Sequence, residues 1–249
     1  MTAALSVRGV TKRFGPVLAL DAVDLDVNRG EVLAILGDNG AGKSTLIKCI
    51  SGVHRPDAGH IEIDGQPAHL SSPAAARAHG IETVYQDLAL FDNLDPSANF
   101  YAGRELAGPR WLPKACRVLR RRAMAAATVE VLERLQVSLP DTAATVGLMS
   151  GGQRQVIAVA RGAAFTSRVV ILDEPTAALG LRESRQVLDL ILRLRAEGHA
   201  VIVISHALDH VIEVADRAVV MRRGRKVGEE VPSPESQERI VALIDGTSR

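Results

Sequence analysis

Nine residues, Gly37-Asp38-Asn39-Gly40-Ala41-Gly42-Lys43-Ser44-Thr45, follow the apolar run 32–36 and lead into Leu46 and Ile47. An apolar strand, a glycine-rich loop and a helix start in that order constrain the fold more than any other feature of the chain. The spacing G-x-x-x-x-G-K-S has a physical reason. Glycines let backbone N–H groups converge on an anion, and the helix that follows directs its positive end at the same place. Lys43 can then reach the β- and γ-phosphates of a nucleoside triphosphate, and the Ser44 hydroxyl can ligate Mg²⁺. The segment predicts nucleotide binding at the edge of an α/β sheet.

The bulk numbers narrow the alternatives. At 249 residues and 47% hydrophobic composition the chain can bury a core as one large α/β domain or two small ones. Its 30 basic and 29 acidic residues exclude a globally basic nucleic-acid binder and leave only local patches open. Cys49 and Cys116 have no companion at metal-ligand spacing and read as thiols in a reducing compartment. The first residues hold no long apolar segment and soon meet Arg8, Lys12 and Arg13, so export is not expected. No stretch approaches the roughly 18 apolar residues of a membrane helix. The expectation is a cytosolic chain whose membrane role comes through a partner.

Along the chain, residues 5–27 alternate in short runs around Gly15-Pro16, which predicts an antiparallel β element, and 61–63 before Asp64-Gly65 reads as another hairpin piece. A short helix after Pro73 and a strand over 82–86 follow. Residues 87–148 then carry Pro96, Pro109, Pro113 and Pro140 around a helical stretch predicted over 115–135, read as a helical insertion. Beyond it come a helix over 152–165, a strand over 169–172, a helix over 182–196 and a strand over 200–204. Such alternation implies crossovers and a buried parallel sheet. A late hairpin turns at 222–225, and a terminal helix ends near Ile244.

The run Val169-Val170-Ile171-Leu172-Asp173-Glu174 delivers two carboxylates at a strand's C-terminal edge, where ligands of open α/β sheets sit. Asp173 suits a Mg²⁺ contact. Glu174 suits a general base that polarises the water attacking a γ-phosphate. Ser150-Gly151-Gly152-Gln153 is a second anion site in sequence form: Ser150 is a good N-cap, the paired glycines expose N–H groups, and a helix follows. A protein with one phosphate loop has little use for a second, remote site unless it faces nucleotide bound to another copy of the same chain.

With these motifs in this order, the chain resembles the ATP-binding-cassette family, whose marker sequence is close to Leu-Ser-Gly-Gly-Gln. The resemblance spans residues 5–245. It implies an α/β P-loop NTPase fold with a mainly parallel core sheet, an N-terminal antiparallel β subdomain and a helical subdomain over about 87–165. It also implies Phe14 as the aromatic that stacks on adenine, Gln86 at the Gln-loop as a further Mg²⁺ contact, Asp173 and Glu174 at the Walker B end, and His206 as the switch histidine. The cofactors implied are ATP and Mg²⁺. The assembly implied is a head-to-tail dimer with a second copy of the chain, each ATP held by one subunit's phosphate loop and the other's Ser150-Gly151-Gly152-Gln153 segment. The other histidines, including His54, His79 and His210, read as surface residues.

Two departures matter. Met149 stands where many cassettes have Leu, a volume-conserving change. Gly180 ends Ala177-Ala178-Leu179-Gly180 where the family generally has Asp in its D-loop, which removes a carboxylate from the implied cross-dimer contacts. The wording of 174–180, 84–90 and 99–105 resembles a subgroup, the monosaccharide importers. That subgroup implies an ATP-hydrolysing subunit peripheral to the cytoplasmic face of the cell membrane and docked on integral-membrane permease subunits. A periplasmic or extracellular sugar-binding protein acts through the permease, and no nucleic acid is involved. A single phosphate loop and a single Ser-Gly-Gly-Gln imply a homodimer.

Leu88, Leu90, Phe91, Phe100 and Tyr101 read either as the permease-docking surface or as a local core, and Lys114, Arg117, Arg120, Arg121 and Arg122 as a solvated helix face or a lipid or partner contact. An exporter subunit and a soluble cassette stay open as alternatives. A regulator without turnover would lack Glu174 and His206.

Overall fold

Runs such as Val169–Asp173 and Ala200–Ile204 are almost wholly apolar because the strands they form are covered on both faces. The computed structural model describes residues 3–109, 118–139, 141–166 and 168–247. In chain order the first half holds β1 (Leu5–Phe14), β2 (Val17–Val27), β3 (Val32–Leu36), α1 (Lys43–Ile50), β4 (Ala58–Ile63), β5 (Gln66–Pro67), α2 (Pro73–Ala78), β6 (Ile81–Val84), α3 (Pro96–Tyr101), β7 (Ala107–Gly108), β8 (Val118–Leu119) and α4 (Arg121–Arg134). The second half holds α5 (Gly151–Phe165), β9 (Val169–Asp173), α6 (Leu181–Ala196), β10 (Ala200–Ile204), α7 (Leu208–Val214), β11 (Arg217–Arg222), β12 (Arg225–Glu230) and α8 (Gln237–Asp245).

The central sheet runs β12-β11-β3-β10-β9-β6, parallel throughout except for β12 at one edge. Period-2 alternation assigns its side chains to two cores. Val169, Ile171, Ala200, Ile202 and Ile204 face the side of α1 and the antiparallel sheet, while Val170, Leu172, Val201 and Val203 face α5 and α6. Each fully buried Val, Leu or Ile contributes roughly 1.5–3 kcal/mol. The antiparallel sheet β2-β1-β4-β5 is tied to the central one beside the phosphate loop, where Asp21 N–H donates to Gly224 O (2.8 Å) and Gly224 N–H to Ala41 O (2.9 Å).

Several local expectations need correction. The strand expected over 82–86 is Ile81–Val84, so Gln86 lies beyond its end on an exposed loop. The helix expected over 115–135 is Arg121–Arg134; residues 118 and 119 instead pair with 108 and 107 as β8 and β7, and 115–117 lie outside the described residues. Pro113, Pro140 and Cys116 also lie outside them. Two short helices had no sequence counterpart. In α3, the Asp95 side chain caps Ala98 N–H and Pro96 fills the first turn, where a missing N–H costs nothing. In α7, no side chain caps the start.

Candidate functional site

The nucleotide-site candidates converge on the carboxyl ends of β3, β9 and β10, the edge of an open parallel sheet where ligands collect. The loop after β3 packs tightly. Gly37 has φ +143°, and a Cβ there would sit 2.1 Å from Met221 O on β11. Gly42, at φ +102°, would bring a Cβ to 2.7 Å from Ala19 O. Asp38, Asn39, Gly40 and Ser44 face solvent, Thr45 is half-buried, and Ala41 is buried. Lys43 is buried, and its ammonium donates to Gly37 O (2.5 Å) and Asp38 O (3.0 Å). Burial lowers its pKa from the ordinary lysine value, opposed by the charges of Glu174, Asp38 and Asp173.

β9 delivers Asp173 and Glu174 to the same edge. Burial raises the pKa of both carboxyls from their ordinary values, opposed chiefly by Lys43 for Asp173 and by His206 for Glu174. Glu174 has φ +51°, a left-handed conformation uncommon for its type, fixed by its N–H donating to Ile204 O (2.9 Å). Its Oε1 lies 3.1 Å from Nε2 of the exposed His206 yet is enclosed without an aligned hydrogen-bond partner among the described residues. A carboxylate left in that state is a strong acceptor. The set of Ser44 hydroxyl, Asp173 carboxylate and Gln86 amide oxygen is hard and oxygen-only, the donor chemistry Mg²⁺ takes.

Phe14 is 43% exposed at the end of β1. His54 meets its ring edge-on at 5.1 Å, and Lys12 Nζ lies 5.6 Å from its centroid. The second anion-site candidate stands apart, with no hydrogen bond to the phosphate loop among the described residues. Ser150 caps α5 by accepting from Gln153 N–H (3.2 Å), while Gln153 Oε1 accepts from Ser150 N–H (2.9 Å). Gly151 is exposed. Gly152, expected to present its N–H openly, is buried beneath Glu183 of α6. Met149 is half-buried against the α5 core.

Other readings shift. His54, His79 and His210, expected at the surface, are half-buried. His210 Nδ1 shares a 3.0 Å hydrogen bond with the buried Thr176 Oγ1, three residues after Asp173, a link sequence spacing alone could not reveal. Phe100 is fully buried, and Leu88, Leu90 and Tyr101 pack on the same core, which favours the local-core reading and leaves Phe91, 53% exposed, on the surface. Arg120, Arg121 and Arg122 are exposed; Lys114 and Arg117 lie outside the described residues.

Sequence reasoning also missed Arg161. Its guanidinium donates to Leu88 O and Ala89 O, both at 2.8 Å, and so grips the loop after Gln86 from α5. Beside it Arg104 pairs with Glu82 (2.6 Å) and stacks on Phe165.

The ABC transporter family profile matches residues 20–177. The chain is 48% identical over 243 residues to the fructose import ATP-binding protein FrcA of Rhizobium meliloti, covering 97% of this chain and 94% of that protein. It is 42% identical over 244 residues to the xylose/arabinose import ATP-binding protein XylG of Sulfolobus acidocaldarius, covering 98% and 94%. A crystal structure of a nucleotide-free ATP-binding cassette from an ABC transporter superposes with a TM-score of 0.83 at 26% identity, over 98% of both chains. The chain with this convergent sheet edge belongs to the ABC transporter family, as one of its ATP-binding cassettes.

Proposed function

We propose that the chain is the ATP-hydrolysing subunit of a monosaccharide importer, acting as a head-to-tail homodimer docked on membrane permease subunits at the cytoplasmic face. The observation that carries this reading is the meeting of Lys43, Asp173, Glu174 and His206 at one sheet edge, with Glu174 Oε1 unpartnered beside His206. The sugar assignment leans on the names of the fructose and xylose/arabinose import relatives. No helix among the described residues is long and apolar enough to cross a membrane, consistent with a peripheral subunit.

The residues act as follows. Phosphates displace the loop carbonyls as partners of Lys43, and the N–H groups of 37–45 surround them while adenine stacks on Phe14. Ser44, Asp173 and Gln86 would hold Mg²⁺, which would supply charge neutralisation at the phosphates. Glu174 accepts the proton of the attacking water, and its raised pKa brings its basicity closer to that task. His206 Nε2, 3.1 Å from Glu174 Oε1, stands beside the carboxylate in the place of the switch histidine. Ser150, Gly151, Gly152 and Gln153 present the α5 start to the second copy's γ-phosphate. Closing and reopening of that dimer moves the permease between two access states.

The test is Glu174→Gln, which keeps the side-chain shape and removes its basicity. Hydrolysis should fall at least about 10²-fold, and with ATP the variant should elute as a dimer. Hydrolysis at the parent rate would overturn the reading.

A further inference from the structure

The ladder between β1 and β4 ends at the pair Thr11 and Ala58, short of Phe14 at the end of β1. Beyond that point a single residue continues the pairing. Asp57 N–H donates to Thr11 O (2.9 Å), and its Oδ2 accepts from Arg13 N–H (2.7 Å), so backbone and side chain together supply the donor and acceptor that a longer β4 would have offered. The other carboxylate oxygen, Oδ1, takes the Lys12 ammonium at 3.0 Å, and the same ammonium donates to Arg55 O at 2.8 Å. All but one of these bonds involve backbone, which separates the clasp from an isolated surface ion pair of little worth. The Arg13 N–H, and after it the Lys12 ammonium, hold the Asp57 pKa below its ordinary value, so the clasp keeps its charge at neutral pH.

The clasp joins the two ends of the candidate nucleotide site. On one side of it stands Phe14, at an exposed hairpin end and paired with Val17 across Gly15-Pro16. The clasped Lys12 ammonium and the His54 ring both lie against the Phe14 ring. On the other side, residues 54–57 follow α1, whose first residue is Lys43 of the phosphate loop, and His54 N–H donates to Lys48 O (2.9 Å) in that helix. A continuous route therefore runs from the phosphate cradle through α1 and the 54–57 segment to the clasp, and from the clasp to the aromatic ring.

We infer that Asp57 is a positioning residue for nucleotide binding: by pinning the end of β1 to the segment that follows α1, it holds the Phe14 ring at a set separation from the phosphate cradle. This rests on the reading of Phe14 as the adenine platform in the proposed function, and Asp57 acts through that ring without touching nucleotide. ATP engages both ends of the site at once. A ring free to swing must be ordered as nucleotide binds, at a cost in affinity, whereas a ring held in advance avoids that cost. Inorganic tripolyphosphate engages the cradle alone, so it is indifferent to where the ring stands. A clasp that served only to stabilise the fold would leave the ratio of the two affinities unchanged.

The experiment uses the full chain carrying Glu174→Gln, so that ATP is not consumed, and titrates dilute protein with ATP and with inorganic tripolyphosphate by calorimetry. Phe14→Ala should raise the ATP Kd at least about fivefold, the low end of base–aromatic stacking. Asp57→Ala should raise it about three- to tenfold, by no more than Phe14→Ala does, while the tripolyphosphate Kd stays within about twofold of the parent. Combined with Phe14→Ala, Asp57→Ala should add less than about twofold, because a missing ring cannot be misplaced. The milder Asp57→Asn removes the ion pair with Lys12 and keeps an acceptor for Arg13 N–H; it should give the same pattern at about two- to threefold and carries the test if Asp57→Ala does not fold. Parent ATP affinity in the variant tested would overturn the inference. Equal losses for ATP and tripolyphosphate, or a full further loss in the Phe14→Ala background, would overturn it too. If Phe14→Ala itself binds ATP like the parent, the adenine-platform reading fails first and this assignment falls with it.

Discussion

Replacing Gly37 by alanine isolates what the phosphate loop demands of the fold from what it offers a nucleotide. At φ +143° an L-residue is strained by about 1–3 kcal/mol. The new Cβ would also sit 2.1 Å from Met221 O and 3.0 Å from Ala41 Cβ. Neither can swing away, because Met221 O is backbone in β11, whose neighbouring residue Val220 is in register with Leu36 of β3. Overlap of that kind costs a further 1–3 kcal/mol or so as the loop or strand shifts. Together these give roughly 2–6 kcal/mol against a total stability of about 5–15. At about 2–4 °C per kcal/mol for a chain of this length, Gly37→Ala should lower Tm by roughly 5–20 °C without nucleotide. Gly151→Ala is the control, since nothing lies within 4 Å of a Cβ there and its φ is not positive; it should melt within about 2 °C of the parent. Thermal circular dichroism of the two variants side by side reads both. Equal losses, or a Gly37→Ala protein that melts with the parent, would refute the packing argument for the loop.

Lys43→Ala removes a charged contact to the phosphates worth roughly 1.5–3 kcal/mol, so ATP affinity by titration should drop about ten- to a hundredfold. Ser150→Arg should leave monomer ATP binding near normal and block the composite site; mixing it with Lys43→Ala should recover part of the hydrolysis through the one site with both halves intact, and strong activity of Ser150→Arg alone would refute the composite site. Burial pushes the Cys49 thiol up to about 11, so its contribution to stability is full below the ordinary value of 9.0 and is lost as pH rises through about 11. Native protein at pH 8 should therefore leave Cys49 unalkylated by iodoacetamide in peptide mass spectra, and denaturant melts should weaken between pH 9 and 11 by less in Cys49→Ala than in the parent.

What the sequence made legible follows from locality. The phosphate loop, the doubly buried strands β9 and β10, and the Ser150 capping box each write their physics within a few neighbouring residues. Elements that depend on distant contacts were invisible. The seven-residue α7 has no side-chain cap to announce it, and β7 pairs with β8 across an intervening segment. The Thr176–His210 bond spans 34 residues and the Arg161 grip on Leu88 O spans 73. The strand read over 82–86 runs two residues too far because β6 ends at Val84, where its pairing with Leu172 stops.

The left-handed backbone at Glu174 has a consequence for anyone selecting hardier forms of this protein. Glycine, asparagine and aspartate tolerate φ +51° better than glutamate does, and exchanging an enclosed, poorly partnered acid for any neutral residue removes a desolvation cost. A screen scored on heat resistance alone would thus enrich changes at 174 and, under the proposed mechanism, return durable proteins that hold ATP and do not cleave it. Screens that alternate heating with a turnover assay should leave this position untouched.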